Sequence, residues 1–224
     1  MTEQDPVRSS IAAEDWLPVQ QSLLRGLNHS LSNRLASLSA LTMLIEGGDR
    51  LDSRMQDALS ADVERLGGLL ELFRALPGPA VSRREGARFG DALQRAGALV
   101  AHHPECRDLA IASVVEEPDA PPVTLATEDA TRASVLLLLA VARAAASPAP
   151  LRITARAGGD GWLYVTAELE GASCAQITQS AEHGALERFA AAEGGRLTCP
   201  AGDVAEAAGR LTLALPGLGL TRGR

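Results

Sequence analysis

A histidine and an asparagine lie one helical turn apart in the stretch Leu27-Asn-His-Ser-Leu-Ser-Asn-Arg-Leu35. At roughly 100° per residue, His29 lies about 160° from Leu31, and Asn33 follows His29 on the same outer face of the helix. An imidazole titrates near neutral pH and is a nucleophile without a neighbouring base to activate it. The pattern therefore predicts an exposed, nucleophilic histidine with an amide beside it.

Two long amphipathic helices must position this pair. Apolar stripes predict a first helix from about Asp15 to Ile45 and, after Gly47-Gly48, a second from about Arg50 to Leu76. The stripes consist of Leu24, Leu27, Leu31, Leu35, Leu38, Thr42 and Ile45 in the first helix and of Met55, Leu59, Val63, Leu66, Leu70 and Phe73 in the second. The short turn predicts an antiparallel hairpin. Because two helices cannot bury such a seam alone, we expect a homodimer that forms a four-helix bundle.

After Pro77-Gly78-Pro79 the pattern changes to shorter elements. Helices are predicted at 89–102, 130–146 and 184–192, and strands at 109–115, 151–157, 162–169, 196–199 and 209–215. The helix at 130–146, with a predicted cap at Thr127, is apolar almost all round and is expected to be buried. The predicted fold class is α+β, a helical hairpin followed by an α/β sandwich. The expected boundaries are a disordered lead (1–12), the hairpin (13–76), a linker (77–84), the sandwich (85–216) and a tail (217–224).

Composition excludes several classes of function. The formal net charge is −7 and every basic residue is an arginine, which argues against a general nucleic-acid binder. The three cysteines are scattered without a CxxC motif, which argues against a disulfide framework or structural zinc and for a reducing cytosol. The first ten residues do not resemble a signal peptide, and no apolar run is long enough to cross a bilayer. We therefore expect a cytoplasmic protein that binds no metal, membrane or nucleic acid.

The order of these motifs resembles the core of a sensor histidine kinase, which is a phosphotransfer hairpin followed by an ATPase domain of the GHKL type. The stretch His29-Ser-Leu-Ser-Asn33-Arg-Leu35 is similar to the family's H-box, whose histidine is phosphorylated. The segments Leu151-Arg-Ile-Thr and Trp162-Leu-Tyr-Val are similar to the strands after its nucleotide-site helix. The segments Glu193-Gly-Gly-Arg-Leu197 and Gly209-Arg-Leu-Thr-Leu-Ala-Leu-Pro216 are similar to its last helix turn and closing strand.

The chain departs from this family where a kinase binds ATP. The nucleotide-site helix, at Leu136–Ala146, has no asparagine to bind the magnesium of ATP. The chain has Glu168-Leu-Glu-Gly-Ala-Ser173 where the family has Asp-x-Gly-x-Gly, and its lid is reduced to 173–184. Ser30 replaces the acidic residue that follows the histidine in active kinases. The combination resembles the dimeric histidine phosphotransferases of the ChpT type, which keep the kinase shape without the nucleotide site.

The resemblance implies that His29 accepts a phosphoryl group from response-regulator receiver domains, whose own Mg²⁺ assists the transfer. This chain would then need no cofactor. Arg25, Ser30 and Arg34 are the expected partner contacts, and Asn33 is expected either to position the reactants or to orient a water that hydrolyses an aspartyl phosphate. Three alternatives remain open at this point: a receiver phosphatase, a non-catalytic scaffold in which His29 is incidental, and a kinase with an unusual nucleotide site.

Overall fold

A computed structural model describes residues 11–47, 52–78, 85–106, 110–117, 119–145, 150–200 and 209–221. Most of the expected lead and most of the expected linker lie outside these residues. The helices are α1 (Ala13–Glu46), α2 (Ser53–Ala75), α3 (Phe89–Val100), α4 (Thr127–Ala142), α5 (Cys174–Gln179), α6 (Ala181–Ala192) and α7 (Leu218–Thr221), with a 3-10 turn at Pro104–Cys106. The strands are β1 (Glu85–Ala87), β2 (Ile111–Glu116), β3 (Val123–Leu125), β4 (Leu151–Ala157), β5 (Trp162–Leu169), β6 (Arg196–Thr198) and β7 (Gly209–Pro216).

Helices α1 and α2 form the predicted hairpin. Helix α2 begins at an N-cap residue, Asp52, whose carboxylate accepts a hydrogen bond from the backbone N–H of Met55 at 2.8 Å. Its last turn contains Arg74, which suits the negative end of the helix dipole. The sequence analysis therefore predicted both helices, and the structure adds the cap.

A five-stranded sheet in the order β2-β4-β5-β7-β6 forms the centre of the sandwich. Strand β2 runs parallel to β4, and the other neighbours are antiparallel. The β4–β5 hairpin has the predicted bounds, and Gly161 takes the positive φ of 82° that its turn requires. Strands β1 and β3 form a separate two-stranded sheet. Helix α7 lies beside it, and the N–H of Leu218 in α7 donates to the Pro122 carbonyl at 2.8 Å.

Helix α4 is the centre of the helical layer, and every residue from Asp129 to Val141 is buried. Burial on all sides is consistent with its sequence, which is apolar almost all round. The helical hairpin and the sheet with its helical layer together confirm the predicted α+β class. The predicted cap is wrong: Thr127 is already the first helical residue, and the N-cap residue, Ala126, has no side-chain oxygen to accept a hydrogen bond.

Helix α1 divides into two halves that face different surroundings. Its N-terminal half packs into the core of the sandwich through Trp16, Val19, Leu23 and Leu27, and the indole N–H of Trp16 donates to the Pro77 carbonyl at 2.9 Å. Beyond the middle of the helix the predicted stripe is not covered by this chain, and whether a second copy covers it stays a prediction. Large apolar side chains are exposed at Leu35, Met43, Leu44 and Ile45 of α1 and at Val63 and Leu70 of α2.

The expectation that the cysteines remain unpaired is wrong for two of the three. Cys174 and Cys199 form a disulfide with a Cα–Cα distance of 6.0 Å, because the sheet brings the residue after β6 to the start of α5. This pairing removes the sequence argument for a reducing compartment. Cys106 is a buried free thiol, and burial raises its pKa to about 11, so it stays protonated. Among the described helices, none combines the length and hydropathy needed to span a bilayer.

Candidate functional site

The predicted pair, His29 and Asn33, lies on the exposed face of α1. Asn33 Nδ2 is 3.2 Å from His29 Nε2, a distance at which the amide N–H donates to the ring nitrogen. An Nε2 atom that accepts this bond carries a lone pair, so the proton of the neutral ring is on Nδ1. The arrangement presents an exposed imidazole whose Nε2 contacts the amide one turn away.

Ser30 faces the sandwich, not the solvent. Its hydroxyl is 2.9 Å from Nδ1 of His102, which follows the end of α3. Burial lowers the pKa of His102, which favours its neutral ring. The sequence analysis placed Ser30 among the partner contacts, and the structure shows its hydroxyl engaged within the chain.

The arginine expected to meet a partner, Arg34, is paired within the hairpin. Its Nη1 atom lies 3.1 Å from Oδ1 of Asp62 on α2, and Arg65 Nη1 lies 3.4 Å from the same oxygen. The Ser37 hydroxyl donates to the other oxygen of Asp62 at 2.7 Å. This hydrogen bond and the positive charge of Arg34 hold the pKa of Asp62 below its ordinary value, against the opposing effect of burial.

Asp62 is the site residue that the sequence analysis missed. It is 4% exposed and pairs with Arg34 and Ser37 of α1, at a position outside the predicted apolar stripe of α2. A signal was available: Asp62 lies seven residues after Met55 and seven before Leu69, so a heptad through these residues places its carboxylate on the interior face. A buried aspartate requires partners, and the nearby arginines supply them.

A cleft of 480 Å³ opens beside His29, between the hairpin and α3. Its polar side is formed by Ser30, Asn33, Arg34, Arg65 and His102, and its apolar side by Gly68, Leu69, Leu72 and Ala98. Two guanidinium groups share the single carboxylate of Asp62, so this rim carries an excess positive charge. Arg25 is exposed on α1, one helical turn before His29.

A cavity of 210 Å³ remains between α1, α4 and the start of α6, below the usual range for ligand pockets of about 300–1,000 Å³. Its lining includes the carboxylates of Glu14, Asp15 and Glu182, and Arg143 is paired with Glu105 and Glu182. Carboxylates repel the phosphates of a nucleotide, so this lining disfavours ATP.

A cation–π contact joins helices α1 and α4. Arg132 of α4 lies 6.0 Å from the ring centroid of Trp16 in α1, and it also bonds to Asp129 at 2.8 Å and to the Gly78 carbonyl. An arginine over an indole ring adds a favourable cation–π contact. The described part of the chain shows no group of three or more His, Cys, Asp and Glu side chains suited to a metal ion.

Comparisons with known proteins give matches among solved structures alone. No protein-family model matches the chain, and no curated protein matches it. The chain is similar to Acinetobacter baumannii histidine kinase AdeS, at 18% identity over 87% of this chain and 97% of that one, with a TM-score of 0.45. A histidine kinase from Burkholderia phymatum STM815 matches at 15% identity over 92% and 100%, with a TM-score of 0.47. A bacterial phosphotransferase matches at 14% identity over 93% and 98%, with a TM-score of 0.49.

Proposed function

We propose that this protein is a histidine phosphotransferase that passes phosphoryl groups between receiver domains of response regulators through His29. The observation that supports this most directly is an exposed imidazole beside an open, positively charged cleft. Transfer of this kind depends mainly on positioning and on charge stabilisation, because the receiver domain supplies the phosphoryl group and the Mg²⁺. The chain itself then needs no cofactor.

In the proposed step, Nε2 of His29 attacks the phosphorus of an aspartyl phosphate on the receiver. The N–P bond forms as the O–P bond to the aspartate breaks, and the carboxylate leaves as the free aspartate side chain. Nδ1 keeps its proton throughout, and Asn33 must release Nε2 before the attack. The acidic rim expected around a receiver's phosphorylated aspartate complements the arginines of the cleft.

Three observations favour a phosphotransferase over an ATP-dependent kinase. The cavity between α1, α4 and the start of α6 is small, and three carboxylates line it. α4 has leucine and alanine where the family's nucleotide-site helix has its magnesium-binding asparagine. Ser30, which replaces the acidic residue after the histidine, is bonded to His102. We therefore expect no specific ATP binding, and calorimetry showing micromolar binding of Mg-ATP would instead support the kinase alternative.

The proposal includes a homodimer formed by the hairpin. The exposed apolar side chains of α1 and α2 are the surface that a second hairpin would bury. A four-helix bundle made from two copies would leave His29 on its outer side, accessible to a receiver domain.

A receiver phosphatase is the second candidate, and the contact between Asn33 and His29 favours it. An amide one turn from the histidine is placed to orient a water for attack on an aspartyl phosphate. The phosphatase would release inorganic phosphate and form no phosphohistidine. The same assay therefore separates the two candidates.

The test is transfer from a panel of radiolabelled receiver domains to the purified protein, with His29→Ala beside it. His183→Ala is a matched control, because His183 lies on α6 away from the cleft. Acid-labile label on the wild type and the control, absent from His29→Ala, is the expected result. A phosphatase would be identified if a receiver lost its label faster in the presence of this protein, if that acceleration required Asn33, and if no label appeared on this chain. No effect on any receiver would favour the scaffold.

A further inference from the structure

His102 contacts α1 at two points one helical turn apart. Its ring forms a hydrogen bond with the Ser30 hydroxyl, and its carbonyl oxygen lies so close to Gly26 that a Cβ added there would be 1.7 Å away. The backbone of His102 is itself fixed to α3, since its N–H donates to the Leu99 carbonyl at 3.0 Å. We call this pair of contacts, made by Gly26, Ser30 and His102, the His102 contact.

The His102 contact fixes the rotation of α1 about its own axis. Ser30 is the neighbour of His29, about 100° further round the helix, so a hydrogen bond at Ser30 also determines the direction in which His29 points. The bonded ring of His102 lines the same cleft as Asn33, directly beside the reacting face. A displacement of about 1 Å at a reacting group can lower a rate by up to about 100-fold, so this constraint is large enough to affect transfer.

The contact also gives the sandwich domain a task that needs no nucleotide. Ser30 and His102 are 72 residues apart, so the bond joins the phosphotransfer helix to the second domain. The core residues Leu23 and Leu27 pack the same part of α1 against that domain. A domain without an ATP site can therefore still act on the reaction, through the orientation of α1.

We propose that His102 is a positioning residue for phosphoryl transfer, through which the sandwich domain orients the His29 face of α1 by way of Ser30. This inference rests on the proposed function of His29. It concerns a residue that makes no contact with the phosphoryl group itself. Its effect is expected on the rate of transfer within the complex, more than on the affinity for the receiver.

The test measures the transfer rate and the KM for a receiver domain in four proteins: wild type, Ser30→Ala, His102→Ala and the double variant. We expect each single change to lower kcat about tenfold with KM changed less than about twofold, because the attack geometry and not the docking is impaired. The double variant should lose no more than either single variant, since both changes remove one bond. His102→Asn should restore most of the rate, because its amide oxygen can accept the Ser30 hydroxyl.

Two comparisons separate positioning from a loss of folding. Ser30→Ala removes one hydroxyl from a helix and leaves a good helix former, so this variant is expected to fold. His183→Ala, on α6, should retain the wild-type kcat. Wild-type kcat in His102→Ala, additive losses in the double variant, or an inactive His102→Asn would each overturn the inference.

Hydrogen exchange provides a readout that does not depend on receivers. Amides of residues 26–30 should exchange faster in His102→Ala than in wild type or His183→Ala, because the hydrogen bond between Ser30 and the His102 ring is lost. If the wild type accepts no phosphoryl group, the proposed function fails, and exchange alone then decides whether the contact exists. Unchanged protection in His102→Ala would overturn the contact even if transfer through His29 is observed.

Discussion

Substitution of Gly26 by alanine should destabilise the protein, although the same substitution usually stabilises a helix. A Cβ on Gly26 would lie 1.7 Å from the His102 carbonyl oxygen, and ordinary contacts begin at 3.4 Å. Helix α1 would therefore have to move away from His102 by about 1.7 Å, the difference between these distances. The backbone of α1 fixes the position of the added Cβ, and the oxygen that it meets belongs to the backbone of His102. No side chain can therefore rotate to make room.

The magnitude follows from three contributions. Overpacking of a well-packed contact costs about 1–3 kcal/mol. Loss of the hydrogen bond between Ser30 and His102, which the displacement would break, costs about 1 kcal/mol. Alanine in place of glycine stabilises the helix by about 1 kcal/mol because of its higher helix propensity. We therefore expect the free energy of unfolding to fall by about 1–3 kcal/mol, and Tm to fall by about 2–4 °C for each kcal/mol.

The assay is denaturant unfolding at one fixed protein concentration, with Gly184→Ala as a matched control. Gly184 lies inside α6, and its added Cβ would meet only the flexible end of Arg188 at an ordinary distance of 3.5 Å. The control should gain about 0.5–1 kcal/mol. A Gly26→Ala protein as stable as wild type, or stabilised like the control, would refute the argument that α1 packs on the His102 carbonyl.

Three further predictions concern other parts of the molecule. The pKa of Asp62 is held below its ordinary value of 3.8, so the carboxylate stabilises the fold fully above about pH 4 and loses this effect as the pH falls further. The free energy of unfolding of Asp62→Asn should therefore fall less than that of the wild type below this pH. Identical pH profiles of the two proteins would contradict the ion pair. Cys174→Ser should lower the unfolding free energy by about 3 kcal/mol for a loop of this length under oxidising conditions, and should change nothing under a reductant that opens the bond to Cys199. Leu70→Asp should convert the proposed dimer to a monomer in light scattering while Leu220→Asp, on α7, should not; a monomeric wild type would refute the bundle.

The sequence was sufficient for the parts of the fold that depend on local patterns. Alternating residues and a Gly-rich turn predict β4 and β5 with the observed bounds, and a run of apolar residues predicts the buried α4. The 3.6-residue period also placed His29 and Asn33 together on an exposed face. Each of these features is encoded within about thirty consecutive residues.

The parts that sequence analysis missed are contacts between distant residues. The hydrogen bond of Ser30 to His102 and the disulfide of Cys174 with Cys199 exist because the sheet and the helical layer bring separate segments together. No local pattern marks either pair. The role of Gly26 was missed for the same reason, because the need for a glycine there follows from the His102 carbonyl packed against it.

The division of α1 explains why the hairpin and the sandwich act as one unit. Trp16, Leu23 and Leu27 have almost no exposed surface, and each contributes about 1.5–3 kcal/mol by burial against the second domain or the residues beside it. A hairpin separated from the sandwich would expose all three side chains and lose the bond at Ser30. The proposed phosphoacceptor, His29, lies directly after this anchored segment and before the exposed apolar half of the helix. A receiver that docks at His29, as proposed, would therefore meet a surface formed by both the hairpin and the sandwich.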